Sequence, residues 1–443
     1  MRINHTSIII EIMYEVREEE EHKVQCFLVA GPARKDETGE PYELKGLVDT
    51  LGMETCGVLV LNRIEQNPVY GMGSGKAQEI ANKAKECFAE CIIFDFNLES
   101  RKQRNWEKLT NIPCFDRNEV ILRIFADRAQ TKEAVLQVEL AKLVYSLPRL
   151  SHMYGSMARQ RGGNYGAKGS GETQLELDRR QVEDKIIAIK KELEQVEQTR
   201  DTQRKQREKT AAATCALVGY TNAGKSSLLN ALTGADVFVE NKLFATLDPT
   251  TRRLELPEGN SILLTDTVGF ISNLPHTLIN AFKSTLEEAA LAQLLLIVVD
   301  ASDEHCKQQY DQVIKVLTEI NADNVPRQIV LNKCDLLNND QVKLAELDAL
   351  FPGAVHVSAK QQIGFEELLS IVTERLLGVV RVYHLPLSRP DIVAMIRKNG
   401  TVITEEWKDE FVEVSARVPG EYNKDGKPTS RTLALLDEFL IKE

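Results

Sequence analysis

The sequence predicts an α/β protein of several domains, built mainly from parallel strands alternating with helices. Three observations predict it. Short apolar runs recur between stretches of helical spacing, one such run delivers a glycine-rich turn that opens a helix, and two apolar stripes of helical period stand between two such regions. A length of 443 residues suggests about three domains. Hydrophobic content of 43% and charged content of 27% exclude disordered, collagen-like and membrane-spanning chains as the main class. The longest apolar run, Leu294 to Val299, falls far short of the roughly 18 residues of a spanning helix. Ile8 to Ile10 run into Glu11 with no small-residue cleavage site, so no secretory signal is expected and the cytoplasm is the expected compartment.

The 8 cysteines form no CxxC pair and are expected to be reduced thiols, while the 7 histidines show no metal-binding spacing. The net charge of -11 argues against coating nucleic acid by bulk charge, though not against a local basic patch.

Residues 1–22 read as an acidic, solvated lead-in ending in Glu18 to Glu21. A small parallel α/β domain is expected over 23–130, with strands at Cys26 to Ala30, Gly57 to Leu61 and Cys91 to Phe94 and helices at Pro41 to Leu51 and Gly75 to Phe88. Within it, Tyr70 to Lys76 looks superficially like a phosphate loop. Its Gly71 and Gly75 are one residue too close, and Ala77 stands where a hydroxyl should meet magnesium, so a structural turn is preferred over weak anion binding.

Residues 131–210 read as a helical hairpin. Leu136, Leu140, Leu143 and Leu147 form one stripe, stopped by Pro148, and Leu175, Val182, Ile189 and Val196 recur every seven residues on the other. The connecting loop 149–171 carries Arg149, Arg159, Arg161 and Lys168 with no carboxylate, together with six glycines. Glycines permit close approach to a phosphate backbone and the cations displace counterions, so these four residues are candidates for RNA contact.

The chemistry lies in 211–378. Ala216, Leu217 and Val218 lead into Gly219, Tyr220, Thr221, Asn222, Ala223, Gly224, Lys225, Ser226 and Ser227, followed by a helical pattern. This is a phosphate loop in its required strand–loop–helix setting: backbone N–H groups cradle the β-phosphate, Lys225 reaches the β- and γ-phosphates, and Ser226 offers a hydroxyl to Mg²⁺. Asp266, Thr267, Val268 and Gly269 follow another strand, placing a carboxylate beside the metal and a free N–H near the γ-phosphate. Asn332, Lys333, Cys334 and Asp335 follow a third. Asp335 can accept from both N1–H and the exocyclic amine of guanine, a pairing adenine cannot supply. Ser358, Ala359 and Lys360 offer backbone N–H groups to guanine O6. In this order and spacing the segments specify a GTP site, as in the translation-factor-related GTPases. Thr246, Thr250 and Thr251 are the candidates for the threonine of the first switch.

Phe244, Ala245, Thr246, Leu247 and Asp248, with the phosphate loop and the upstream segment Gly169 to Arg180, make the chain similar to the HflX family of ribosome-associated GTPases over roughly residues 25–375. One departure is a longer glycine loop around Asn164 to Lys168. The resemblance implies a Ras-like G domain, Thr246 as the second Mg²⁺ ligand, GTP and GDP as ligands, and binding to the large ribosomal subunit and its rRNA, with separation of stalled ribosomes. Phe270 stands where Ras-like enzymes carry the glutamine that orients water, so hydrolysis is expected to be slow alone and stimulated by a partner. Lys225, Asn222, Thr246 and Gly269 are the candidate catalytic residues, and Asn222 is placed either to hold K⁺ near the phosphates or to brace the loop. Action on RNA in ribosome assembly or modification, and a nucleotide-regulated adaptor without RNA contact, are the alternatives. A monomer is expected. Residues 379–443 read as a small acidic α/β appendage without assigned chemistry.

Overall fold

The computed structural model describes residues 22–31, 41–63, 67–160, 174–208, 213–235, 242–272, 283–337, 340–420, 428 and 430–441, without the side chains of 151–160, 174–175, 197, 201, 203–208, 283–285 and 287. The chain divides into two compact units, Met1–Asp127 with Ala141–Ile186, and Arg128–Leu140 with Ile187–Glu443. The lead-in before His22 lies outside the described residues.

In the first unit, β1 (Gln25–Ala30), β2 (Glu54–Val60), β3 (Cys91–Phe94) and β4 (Cys114–Asp116) form a parallel sheet in the order β2-β1-β3-β4. β1 and β3 are the inner strands; all of β3 and all of β1 after Gln25 are buried, which is why they read as unbroken apolar runs. Helices α1 (Tyr42–Thr50), α2 (Ser74–Glu86), α3 (Ser100–Thr110) and α4 (Arg117–Arg128) complete the alternation. Asp116 ends β4 and caps α4, its Oδ1 accepting from Glu119 N at 3.0 Å.

Helix α5 (Lys132–Gln160) and helix α6 (Gln174–Glu208) are the two long helices. Pro148 does not stop α5, contrary to the sequence expectation, and the helix continues for three more turns. Proline removes one N–H and crowds the carbonyls one turn back. Beside it, Arg149 Nη1 donates to Tyr145 O at 2.9 Å and its Nη2 to Leu98 O at 2.9 Å, which fastens this turn of the helix to its neighbours.

The second unit is built on a six-stranded sheet in the order β10-β9-β8-β5-β7-β6: β5 (Thr214–Gly219), β6 (Thr250–Glu255), β7 (Ser261–Asp266), β8 (Leu294–Asp300), β9 (Arg327–Asn332) and β10 (Val355–His356). Only β6 runs antiparallel, against β7, with Thr250 opposite Asp266. The central strands β5 and β8 bury Leu217, Leu296 and Val298 in one core with Leu228, Leu229, Leu264 and Leu368. Helices α7 (Lys225–Thr233), α8 (Lys283–Ala290), α9 (Cys306–Glu319), α10 (Gln341–Leu350) and α11 (Phe365–Leu377) connect its strands or follow them.

The tail forms an antiparallel sheet in the order β11-β13-β12: β11 (Val380–Pro386), β12 (Thr401–Trp407) and β13 (Phe411–Arg417). Helix α12 (Pro390–Asn399) contributes Ile392, Val393 and Ile396 to its core and α13 (Arg431–Leu436) contributes Leu433. The mixed α/β class read from the sequence is the observed one. Among the described residues no helix is long and apolar enough to cross a membrane.

Candidate guanine-nucleotide site

The carboxyl ends of β5, β7 and β9 converge at one edge of the six-stranded sheet, where ligands of doubly wound folds bind. Between β5 and α7 the loop is held so tightly that only glycine fits at two positions. A Cβ on Gly219 would lie 2.3 Å from Val298 O, and one on Gly224, at φ +89°, 2.3 Å from Asn332 Nδ2. Asn222 also takes a left-handed conformation, at φ +62°, which asparagine tolerates. Thr221, Asn222, Gly224, Lys225, Ser226 and Ser227 line a cavity together with Lys242, Phe244, Ala245, Thr246, Thr267 and Gly269.

Lys225 is buried and its ammonium donates to Gly219 O at 3.2 Å and Tyr220 O at 2.9 Å. Burial pulls its pKa down to about 8, with Asp266 pulling the other way. A polyanion arriving here would stabilise the charged form. Ser226 Oγ donates to Asp266 Oδ2 at 2.6 Å and lies 2.7 Å from Thr246 Oγ1. Burial pushes the Asp266 carboxyl above the usual range, against the opposing pull of Lys225, Ser226 and Thr246. Asp266 Oδ1 is buried and, among the described residues, has no hydrogen-bond partner. Two hydroxyls and a carboxylate with an unmatched oxygen form the hard oxygen donor set that Mg²⁺ takes. Of the three threonines open in the sequence, Thr246 is the one at this cluster. Thr250 opens β6 and Thr251 Oγ1 faces Thr265 Oγ1 at 2.9 Å.

At the far end of the site, Asn332 spans two loops. Its Nδ2 donates to Ala223 O at 2.9 Å and its Oδ1 accepts from Ala359 N at 3.0 Å. Asp335 Oδ1 accepts from Ser358 Oγ at 2.7 Å. Lys333, at φ +63°, places Nζ 2.7 Å from Asp300 Oδ2. The Ser358 N–H donates to Ile363 O at 3.1 Å, so it and the Ala359 N–H are spent inside the protein rather than turned toward guanine O6. That leaves Lys360 N–H of the three expected donors.

Other predicted residues serve the scaffold through their side chains. Leu247, Val268 and Ala223 are core. Thr267 Oγ1 donates to Leu217 O at 2.7 Å, Tyr220 OH meets Ser272 Oγ at 2.7 Å, and Cys334 Sγ donates to Leu331 O at 3.1 Å. Phe270 is 1% exposed and its backbone bridges to the phosphate loop, donating to Gly219 O at 3.1 Å and accepting from Thr221 N at 2.7 Å. Asp248, expected at the nucleotide, instead accepts from Gln130 N at 3.0 Å and Thr131 N at 3.2 Å, ahead of α5. A carboxylate is favoured where helix N–H groups point outward. Sequence reasoning missed Lys242, which belongs to no contiguous motif, and the pairing of the predicted Lys333 with Asp300, which lies on another strand.

Of the four RNA-contact candidates, Arg149 is, contrary to the sequence expectation, an internal tie. Its Nη2 donates to Asp116 Oδ2 at 3.1 Å and Leu98 O at 2.9 Å, and its guanidinium lies 3.4 Å from the Tyr145 ring centroid. With Nε donating to Gln103 Oε1 at 3.1 Å and Nη1 to Tyr145 O at 2.9 Å as well, most of its donors are spent inside the protein. Arg161 and Lys168 lie outside the described residues, as does the Arg159 side chain.

A sheet of this order with these loops at its carboxyl edge defines a P-loop GTPase. The model described as "50S ribosome-binding GTPase" matches residues 214–333, "GTP-binding GTPase Middle Region" matches 128–207 and "GTP-binding GTPase N-terminal" matches 40–126. The chain is 44% identical to GTPase HflX of Akkermansia muciniphila, over 93% of this chain and 98% of that one. It is 41% identical to GTPase HflX of Escherichia coli strain K12, over 85% and 88%. The chain belongs to the HflX family and is a GTP-binding GTP hydrolase.

Proposed function

We propose that the protein is a GTP-dependent switch that binds the large ribosomal subunit and separates stalled ribosomes into subunits. The observation that carries this reading is the match of the G domain to a model described as a 50S ribosome-binding GTPase, together with likeness to HflX proteins along nearly the whole chain. In this reading Ser226, Thr246 and Asp266 hold Mg²⁺, which when bound neutralises β- and γ-phosphate charge. Lys225 clamps the same oxygens, the Gly269 N–H meets the γ-phosphate, and Asp335 selects guanine.

Slow intrinsic turnover follows from Phe270. Its ring is buried and carries no hydrogen-bonding group, so it cannot orient water. Asn222 stands exposed at the rim of the phosphate cavity, the position from which it would hold K⁺. Faster turnover in K⁺ than in Na⁺ supports that role, and equal rates reject it. With Arg149 engaged internally, the RNA contact falls to Arg159, Arg161 and Lys168, and three neutralised phosphates predict a log–log salt slope of roughly -2 to -3.

Sedimentation of ribosomes with GTP, GDP and a non-hydrolysable GTP analogue tests the reading. The expected result is analogue-dependent migration with the large subunit, lost when Arg159, Arg161 and Lys168 are replaced. Migration only with precursor particles, or none in any nucleotide state, would overturn it.

A further inference from the structure

The residue that departs from its expected place, Asp248, lies at a junction. Helix α5 begins with Thr131 as its cap, Thr131 Oγ1 accepting from Ala134 N at 3.1 Å. Asp248 closes the same end from outside, taking the Gln130 and Thr131 N–H groups on Oδ2 and the Thr131 hydroxyl on Oδ1. These partners stand 117 to 118 residues apart in sequence. Two residues before Asp248 is Thr246, which meets Ser226 Oγ at 2.7 Å.

The short link between them has little freedom. Leu247 is 2% exposed, Pro249 restricts Asp248 to extended conformations, and β6 starts at Thr250 opposite Asp266. Moving Thr246 away from Ser226 and Asp266 therefore pulls Asp248 from the helix end, and the reverse holds equally. A second tie reaches the same base. Arg200 of α6 bridges Glu133 in the first turn of α5 and Glu288 of α8, each at 2.9 Å. The start of α5 is thus fastened to segments on either side of the Asp266 to Gly269 loop.

We propose that Asp248 is a positioning residue: through the capped first turn of α5 it holds Thr246 beside Ser226 and Asp266, so that GTP loading and ordering of the α5 base are one equilibrium. This rests on the reading of Thr246 as part of the triphosphate pocket. GDP, lacking the γ-phosphate, makes no demand on Thr246 and leaves the helix base uncoupled. By linkage, a ligand that steadies the α5 base tightens GTP by the factor with which GTP steadies the base.

Amide hydrogen exchange on the full chain, with Mg²⁺ and either GDP or a non-hydrolysable GTP analogue, tests the coupling. Exchange over residues 130–136 is expected to slow about five- to tenfold with the analogue relative to GDP, the scale of one lost cap. Asp248→Ala, which removes all three bonds, should erase that difference, and Thr131→Val, which removes only the hydroxyl's bond, should narrow it. Asp248→Ala should weaken the analogue by the same factor and leave GDP affinity unchanged, and adding Thr131→Val to it should weaken the analogue no further. A purely structural cap would shift both nucleotide states alike. Exchange indifferent to nucleotide, equal losses for GDP and analogue, or additive variants would overturn the proposal while leaving the pocket reading intact. Failure of the wild-type chain to bind the analogue with Mg²⁺ would overturn both.

Discussion

The chain carries two glycine-rich turns that enter a helix through a lysine, and they have opposite characters. In the loop 219–226, added Cβ atoms would strike a backbone carbonyl and a side-chain amide, and Lys225 is enclosed at 6% exposure. In the loop 70–76, a Cβ on Gly75 would meet nothing within 4 Å. There Lys76 is a half-buried lysine paired one turn on with Glu79 at 2.9 Å. The comparison teaches that glycine and lysine do not by themselves make a phosphate site. Enclosure does, because it strips water from the ammonium and aims successive N–H groups at one point.

Substitutions in the enclosed loop should break nucleotide binding outright. Gly224→Ala places a Cβ on Asn332 at a left-handed φ, and Lys225→Ala removes the only ammonium donating into the loop among the described residues. Each should lower GTP affinity by roughly a hundredfold or more in calorimetry, while a loss below about threefold would refute the enclosure argument. Next in size comes the base end. Asp335→Asn should erase the preference for GTP over xanthosine triphosphate, since the new amide donates where guanine needs an acceptor. A retained guanine preference would contradict the assignment of Asp335.

These motifs were legible because a phosphate loop and its partners need fixed residue types at fixed spacing along one strand–loop–helix unit. The rest depended on tertiary partners. Helix α3 buries only Trp106, so it shows no apolar stripe, and β12 carries Glu405 and Glu406 on an exposed edge. Where α5 passes through Pro148, Arg149 reaches Tyr145 O, Leu98 O and Asp116, contacts that no local pattern announces. The cap that Asp248 supplies to α5 is equally invisible, because its partners lie in another region of the sequence.

A third prediction concerns pH. The free protein holds Lys225 near pKa 8 by burial, and bound phosphates raise it, so binding takes up a proton at pH values between the two. GTP affinity should therefore fall as pH rises beyond about 8 and stay level below it as far as this lysine is concerned. Binding heats in buffers of different ionisation enthalpy check the uptake, and zero proton uptake at pH 8.5 would refute it. The smallest effect belongs to the open loop. Lys76→Ala removes a surface ion pair between half-buried residues, worth about 0 to 1 kcal/mol, and should leave nucleotide affinity unchanged within about twofold.

The most direct measurement titrates the full-length Lys225→Ala chain with GTP and with ATP, in Mg²⁺, beside Lys76→Ala. The account predicts no saturable binding of either nucleotide to the first variant and undiminished GTP binding to the second. Stoichiometric binding retained by Lys225→Ala and lost in Lys76→Ala would contradict it.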